Sequence, residues 1–178
     1  VHTLCKRELK RLFKLYYFKE ERGDENRKVL DVGSFDVNGT SRGSVPRSWK
    51  YIGVDLFKGK NVDVVMPGPF EIPFPRSTFS AIVSSSCLEH CANPFRLVKE
   101  MARVLKPGGY IFMVAPVNTP EHREIAPIGE DSFVVLDCWR FYPDGFSCLF
   151  KEAKMKVIHT YTMRRSSGRM HCWGIAQK

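Results

Sequence analysis

Apolar and polar residues fall in blocks along this chain, and the period inside each block tells which element it builds. Short, nearly continuous apolar runs at residues 29–32, 51–54, 62–65, 79–84 and 110–115 are bounded by Gly, Pro or polar clusters. That pattern predicts strands buried on both faces. From Thr3 to about Glu21, Leu4, Leu9, Leu12, Phe13, Leu15, Tyr16 and Phe18 recur at three-to-four spacing between Lys, Arg and Glu, which predicts an amphipathic helix. A second helix starts at Asn93-Pro94, a capping side chain followed by Pro at the first helical position. Leu97, Val98, Met101, Val104 and Leu105 form its apolar face, and Lys106-Pro107-Gly108-Gly109 ends it. A third helix turns Phe146, Leu149, Phe150 and Ala153 inward, and residues 157–163 and 170–176 read as an antiparallel pair joined by a basic turn from Arg164 to Arg169.

Between these blocks lie irregular segments. Thr40 to Trp49 is polar and interrupted by Gly and Pro, so no long helix is expected after the first strand. Met66 to Pro75 carries four prolines and reads as a shaped loop. Such a loop either walls an aromatic ring with Met66 and Phe70 or is a rigid connector. Asn118 to Gly129 is a polar loop with Glu121, His122, Arg123 and Glu124, and residues 133–136 are apolar. The leading helix has three readings: a cap on a ligand pocket, an oligomer contact, or the cover of a sheet edge, which asks least of it. No repeat or linker divides the chain, so residues 1–178 are expected to form one domain, with the helix at 1–22 in front and an acceptor-side loop region at 117–145.

Composition changes this picture only at the margins. At 178 residues the chain suits one core. With 28 Lys and Arg against 19 Asp and Glu its net charge is +9, which favours anionic partners such as phosphorylated molecules, although the charge is spread as on an ordinary solvated surface. The six cysteines include no C-x-x-C pair and match no metal knuckle, so they read as reduced, packed thiols, and no metal is expected. No apolar run is long enough for a membrane span and no signal-peptide pattern opens the chain, which gives a cytoplasmic expectation.

The chemistry concentrates at the first two strands. Asp31 sits near the carboxyl end of the first, where open α/β sheets bind ligands, and Gly33 lets the backbone turn sharply. The second strand ends in Asp55, placed to accept hydrogen bonds from two ribose hydroxyls. Strand, glycine turn, strand and acid together point to an adenosine-containing cofactor.

Five ordered segments carry a resemblance: Val29-Leu30-Asp31-Val32-Gly33, Tyr51-Ile52-Gly53-Val54-Asp55, Ile72-Pro73-Phe74, residues 79–84 with Leu88-Glu89-His90, and Arg103-Val104-Leu105-Lys106-Pro107-Gly108-Gly109. Over about residues 28–116 the chain resembles the class I S-adenosylmethionine-dependent methyltransferases, in particular their small type 11 branch. The resemblance implies a Rossmann-like doubly wound α/β fold, a seven-stranded sheet with six parallel strands and an antiparallel last one. It assigns Gly33 and its neighbours Ser34, Asn38 and Gly39 to the methionine part of S-adenosylmethionine, and Asp55 with Leu56 to the ribose. Met66 and Pro67 go to the adenine edge, the backbone at Ser84, Ser85 and Ser86 to the methionine amino end, and Asp31 to the ammonium through charge. The loop departs from the family in having only Gly33 and Gly39 where three close glycines are usual.

Methyl transfer from a sulfonium is an in-line displacement in which alignment and water exclusion dominate, and a base is needed only where the acceptor must lose a proton. His122 is the first candidate base, with His90 and Asp137 behind it. Against these stand a loop histidine, a helix-entry histidine and an Asp137–Arg140 ion pair. Trp139, Phe141 and Tyr142 are either an acceptor wall or core. The expected function is methylation of an oxygen or nitrogen on a small-molecule, sugar-like or phosphorylated acceptor. The rival readings are a methyltransferase-like domain that binds cofactor or partner without turnover, a basic nucleic-acid-binding domain, and, weaker, a dinucleotide dehydrogenase.

Overall fold

The computed structural model describes residues 3–17, 26–37, 39–122, 124–128 and 131–178. Its centre is a seven-stranded sheet built from β1 (Lys28–Val32), β2 (Lys50–Asp55), β3 (Val64–Val65), β4 (Phe79–Ser85), β5 (Leu105–Pro116), β8 (Lys156–Arg164) and β9 (Met170–Gln177), in the order β3-β2-β1-β4-β5-β9-β8. β3, β2, β1, β4 and β5 pair in parallel, and β9 runs antiparallel to both β5 and β8. The last strand is thus the one reversed strand of the sheet, as the resemblance implied. β4 is buried along its whole length, which accounts for its unbroken apolar and small-residue run.

Helices α2 (Pro94–Val104) and α3 (Pro143–Glu152) cover one face of the sheet. Asn93 caps α2 by accepting from the Arg96 N–H at 3.1 Å, with Pro94 behind it. Leu105 already belongs to β5, so the strand begins directly at the helix end and includes Lys106 to Gly109. The opposite face is covered by α1 (Thr3–Tyr17), whose Leu9, Leu12, Phe13 and Tyr17 pack on Val29, Ala81, Val83, Phe112, Val114 and Trp173. The expectation of an edge cover is therefore corrected: α1 lies over a face, in the space left because no long helix follows β1. Its seat is fixed by polar contacts as well. The Tyr17 hydroxyl donates to the Ser80 carbonyl at 2.6 Å and accepts from the Tyr110 N–H at 3.0 Å, where the β4–β5 register shifts.

Two further expectations change. Only Val64 and Val65 of the predicted third strand are strand; Asp63 before them bonds Gly53 of β2 twice, its N–H donating to the Gly53 carbonyl at 2.8 Å and its carboxylate accepting the Gly53 N–H at 2.7 Å. The polar loop after β5 contains β6 (Glu124–Ile128), which pairs antiparallel with β7 (Asp131–Val135) in a separate two-stranded sheet. Strand-forming Ile125, Ile128, Phe133, Val134 and Val135 explain that hairpin. All six cysteines are free. Among the described residues no helix is long and apolar enough to cross a membrane.

Because α1 is the only described helix on its face of the sheet, truncating its buried stripe is expected to be costly. Leu12→Ala should destabilise the domain by about 2–5 kcal/mol, against less than about 0.5 kcal/mol for the exposed Leu15→Ala. Urea denaturation followed by circular dichroism measures both.

Candidate functional site

The chain leaves β1 towards β2 on one side of the sheet and returns through β4 on the other, so a crevice opens at the carboxyl ends of β1 and β4. A cavity of about 1090 Å³ occupies it. Asp31, Gly33, Ser34, Gly39, Asp55, Leu56, Met66, Ser85 and Ser86 all line its walls. Asn38 lies outside the described residues. Pro67 is exposed and does not line the cavity; Pro69 stands there beside Met66. Phe70 also faces elsewhere, under the Arg96 guanidinium at 4.7 Å. Ser84 is turned inward, its hydroxyl donating to the Val32 carbonyl at 3.0 Å.

The loop after β1 is held by its own hydrogen bonds rather than by three glycines. The Gly33 and Ser34 N–H groups both reach the Val54 carbonyl at 3.0 and 3.1 Å, and the Phe35 N–H donates to the Asp55 carboxylate at 3.0 Å. The Asp36 carboxylate then accepts the Gly39 N–H at 2.7 Å and pairs with Lys60 at 3.1 Å, which keeps its carboxyl below the usual range. Gly33 is required twice over: its φ is +78°, and a Cβ there would stand 2.4 Å from Cys87 Cβ. Gly53 in β2 leaves room for Ser34 Oγ and the Asn61 carbonyl, both within 2.7 Å of where its Cβ would be.

Two carboxylates face the inner half of the cavity. Asp55 accepts from Phe35 at 3.0 Å and, at 3.4 Å, from Phe57, and the Leu56 N–H also faces its carboxylate. Its burial raises its pKa. Asp31 is 3% exposed and accepts the Tyr51 hydroxyl at 2.5 Å; burial, the larger effect, pushes its pKa up to about 7. A cation arriving beside Asp31 therefore meets a group poised to lose its proton.

The outer half has a different character. Thr119, Glu121, His122, His90, Arg165 and Arg169 line it. His90 Nδ1 lies 2.7 Å from the Leu136 carbonyl, and the His90 and His122 rings meet edge to face with centroids 5.2 Å apart. Asp137 does not reach the cavity. Its carboxylate has no exposed surface, is gripped by Arg140 at 2.5 and 2.6 Å, and accepts the His122 N–H at 2.7 Å. The Arg140 guanidinium accordingly holds the Asp137 carboxyl at about 2. Asp137 thus forms the ion pair with Arg140 that was one of its two readings, and it also holds the His122 backbone. Trp139, Phe141 and Tyr142 do not form an acceptor wall: Phe141 is buried against Phe146, Trp139 donates to the Cys91 carbonyl at 2.8 Å, and Tyr142 is exposed.

The sequence offered Arg165 only as a contact in the nucleic-acid reading and did not single out Arg169; only the sheet order brings their turn to the cavity. The cluster of Glu89, His90 and His122, whose ligand-capable atoms all lie within 4.8 Å of one another, was likewise missed. The expectation that no such cluster exists is corrected. Glu89 and His90 are adjacent, but His122 lies beyond α2 and β5, so no spacing rule finds the three together.

The cavity fits a nucleoside with a charged amino-acid tail: an acid at the end of β2, a buried acid at the end of β1, and a close backbone turn between them. Residues 30–113 match the family model of the methyltransferase domain, type 11. A ubiquinone/menaquinone biosynthesis C-methyltransferase of Geobacter sulfurreducens is 25% identical over 184 residues, covering 87% of this chain and 72% of that protein. A rice chloroplastic 2-methyl-6-phytyl-1,4-hydroquinone methyltransferase is 30% identical over 106 residues, 56% of this chain but only 28% of the relative's length. Among solved structures, the Burkholderia thailandensis 1,6-didemethyltoxoflavin-N1-methyltransferase, with S-adenosylhomocysteine bound, has the same fold at a TM-score of 0.68, with 14% identity over 97% of this chain and 77% of that one. The ordered motifs, the sheet order and the match over residues 30–113 converge: this part of the chain is similar to the type 11 methyltransferase domain, and the fold is the one its solved neighbours share.

Proposed function

We propose that this domain transfers the methyl group of S-adenosylmethionine to an oxygen or nitrogen of a small anionic acceptor bound in the outer half of the cavity. The observation that carries this reading is that one cavity runs from two acids at the ends of β1 and β2 to two arginines and two histidines, with Glu89 and Glu121 also on its wall. Asp31 and Asp55 line the inner half, and Arg165, Arg169 and two histidines line the outer half. In the inner half Asp55 accepts the ribose hydroxyls, Asp31 faces the ammonium, and Met66 with Pro69 borders the adenine. S-Adenosylmethionine supplies an electrophilic methyl when bound. The chain's own contribution is to align the acceptor, keep water out, and assist loss of a proton at the acceptor, for which His90 and His122 are in place.

A second reading concerns the acceptor atom. The relatives from rice and Geobacter are named for hydroquinone methylation and for C-methylation. An electron-rich ring carbon activated by a neighbouring ionised hydroxyl would use the same outer-half groups. Transfer of a deuterated methyl group, followed by nuclear magnetic resonance of the product, separates methyl on carbon from methyl on oxygen or nitrogen.

Calorimetric titration with S-adenosylmethionine and S-adenosylhomocysteine tests the inner half. Asp55→Ala should weaken both by about 1–3 kcal/mol while the protein stays folded; unchanged affinity would remove Asp55 from the ribose site. Because the Asp31 pKa is raised to about 7, the free site is protonated at lower pH, whereas the ammonium requires the carboxylate. Affinity should therefore tighten by up to about tenfold between roughly pH 6 and 8, with proton release, and Asp31→Asn should flatten that profile. In the outer half, joint replacement of Arg165 and Arg169 by Ala should raise KM for an anionic acceptor by roughly 10- to 100-fold, with cofactor affinity unchanged.

A further inference from the structure

We propose that Glu89, His90 and His122 form a binding site for one first-row divalent transition cation, whose remaining coordination positions face the cavity and take an oxygen of the acceptor. The inference rests on the reading of the outer half as the acceptor site, and it says how that half assists ionisation of the acceptor.

The geometry comes from three segments that the fold ties together. Glu89 and His90 lie on the 3-10 turn Leu88–His90 after β4, and His122 follows β5. The Glu89 carbonyl accepts the N–H groups of Cys138 and Trp139 at 2.7 and 3.2 Å, which fixes the turn against the segment that also carries Leu136 and Asp137. From these anchors the carboxylate and the two imidazoles present atoms within 4.8 Å of one another. Ligands of a first-row cation, bonded at about 2.0–2.2 Å, stand roughly 3–4 Å apart, so small side-chain rotations close the cluster on an ion.

The hydrogen bonds around the two rings are those a metal site requires. His90 Nδ1 faces the Leu136 carbonyl at 2.7 Å, and His122 Nδ1 faces the Pro120 carbonyl at 3.1 Å and the Asp137 carboxylate at 3.3 Å. Acceptors at Nδ1 hold the proton there and leave Nε2 with its lone pair, the arrangement in which a carboxylate or carbonyl orients a metal-binding histidine. Asp137 is itself locked by Arg140, so the orientation is carried into the fold. Two nitrogens and one carboxylate favour zinc, cobalt, manganese or iron over magnesium and calcium, which prefer all-oxygen sites. Three protein ligands leave coordination positions open. A divalent ion with one carboxylate keeps a net positive charge, which adds to Arg165 and Arg169 in drawing an anionic acceptor. The thiols of Cys87 and Cys91 line the same cavity, so thiolate ligation is the alternative that the cobalt spectrum separates from imidazole ligation.

The test is titration of the chelator-treated full chain with Co²⁺ alone, read by visible absorption, with S-adenosylhomocysteine calorimetry on the same samples. The expected result is one equivalent of Co²⁺ per chain, with ligand-field bands, no thiolate-to-cobalt charge-transfer band, displacement by Zn²⁺, and loss of binding in folded His90→Ala and His122→Ala proteins. Absence of stoichiometric binding in protein that still binds S-adenosylhomocysteine would overturn the cation site and leave the methyltransferase reading standing. A thiolate band, or full binding in either histidine variant, would also overturn it. Where a variant does not fold, the wild-type spectrum alone decides between imidazole and thiolate ligation. Failure to bind S-adenosylhomocysteine would instead count against the proposed function, with the cobalt titration still deciding the ion.

Discussion

The carbonyl of Val54 accepts two consecutive N–H groups, those of Gly33 and Ser34, and the site depends on that shared acceptor. It sews the end of β1 to the end of β2, so the turn cannot rise away from the sheet and the two acids stay on one rim. Asp55 extends the seam by accepting from Phe35, and Asp36 closes the far end onto Gly39 and Lys60. A loop with three glycines reaches a ligand because it lacks side chains. This loop is held down by its own backbone and acid side chains, and it needs Gly33 where Cys87 crowds the turn and Gly53 where Ser34 and Asn61 do.

The same economy shapes the rest of the domain. Among the described residues, only a 3-10 turn at Arg42–Ser44 lies between β1 and β2, where a doubly wound fold ordinarily places a helix. α1 takes over the face so exposed, and Arg42 bonds to Asn61 and Asp63 across the gap at 2.8 and 2.7 Å. Asn61 in turn donates to both Ser34 and the Tyr51 hydroxyl, which is the partner of Asp31. The cofactor-side acid is thus coupled to a polar network that replaces a missing helix. Its raised pKa follows from that burial.

The outer half is assembled from parts remote in sequence. The turn after β4, the segment leaving β5, the stretch before α3 and the β8–β9 hairpin all meet above the carboxyl ends of the strands. Elements that far apart can vary independently while the inner half stays fixed. This division accords with a family match that spans residues 30–113, while residues lining the outer half of the cavity lie partly beyond it.

The alternation of buried runs and amphipathic stretches by itself determined the α/β class, the five parallel strands, three helices and the final antiparallel pair. It also determined the pairing of an acid and glycine after the first strand with an acid after the second, because each of these is a local pattern with a local physical cause. What only the tertiary structure decided are the relations between segments. The Asp137–Arg140 pair is local and legible in the sequence, but that the same carboxylate accepts the His122 N–H is a contact across fifteen residues that spacing does not locate. α1 became the cover of a face because the segment after β1 left that face bare. Arg165 and Arg169 reached the cavity, and Glu89, His90 and His122 came together, because the order of strands in a sheet is set by non-local hydrogen bonds and shared burial. Residue periodicity records which face a side chain prefers, and it carries no information on what it will meet there.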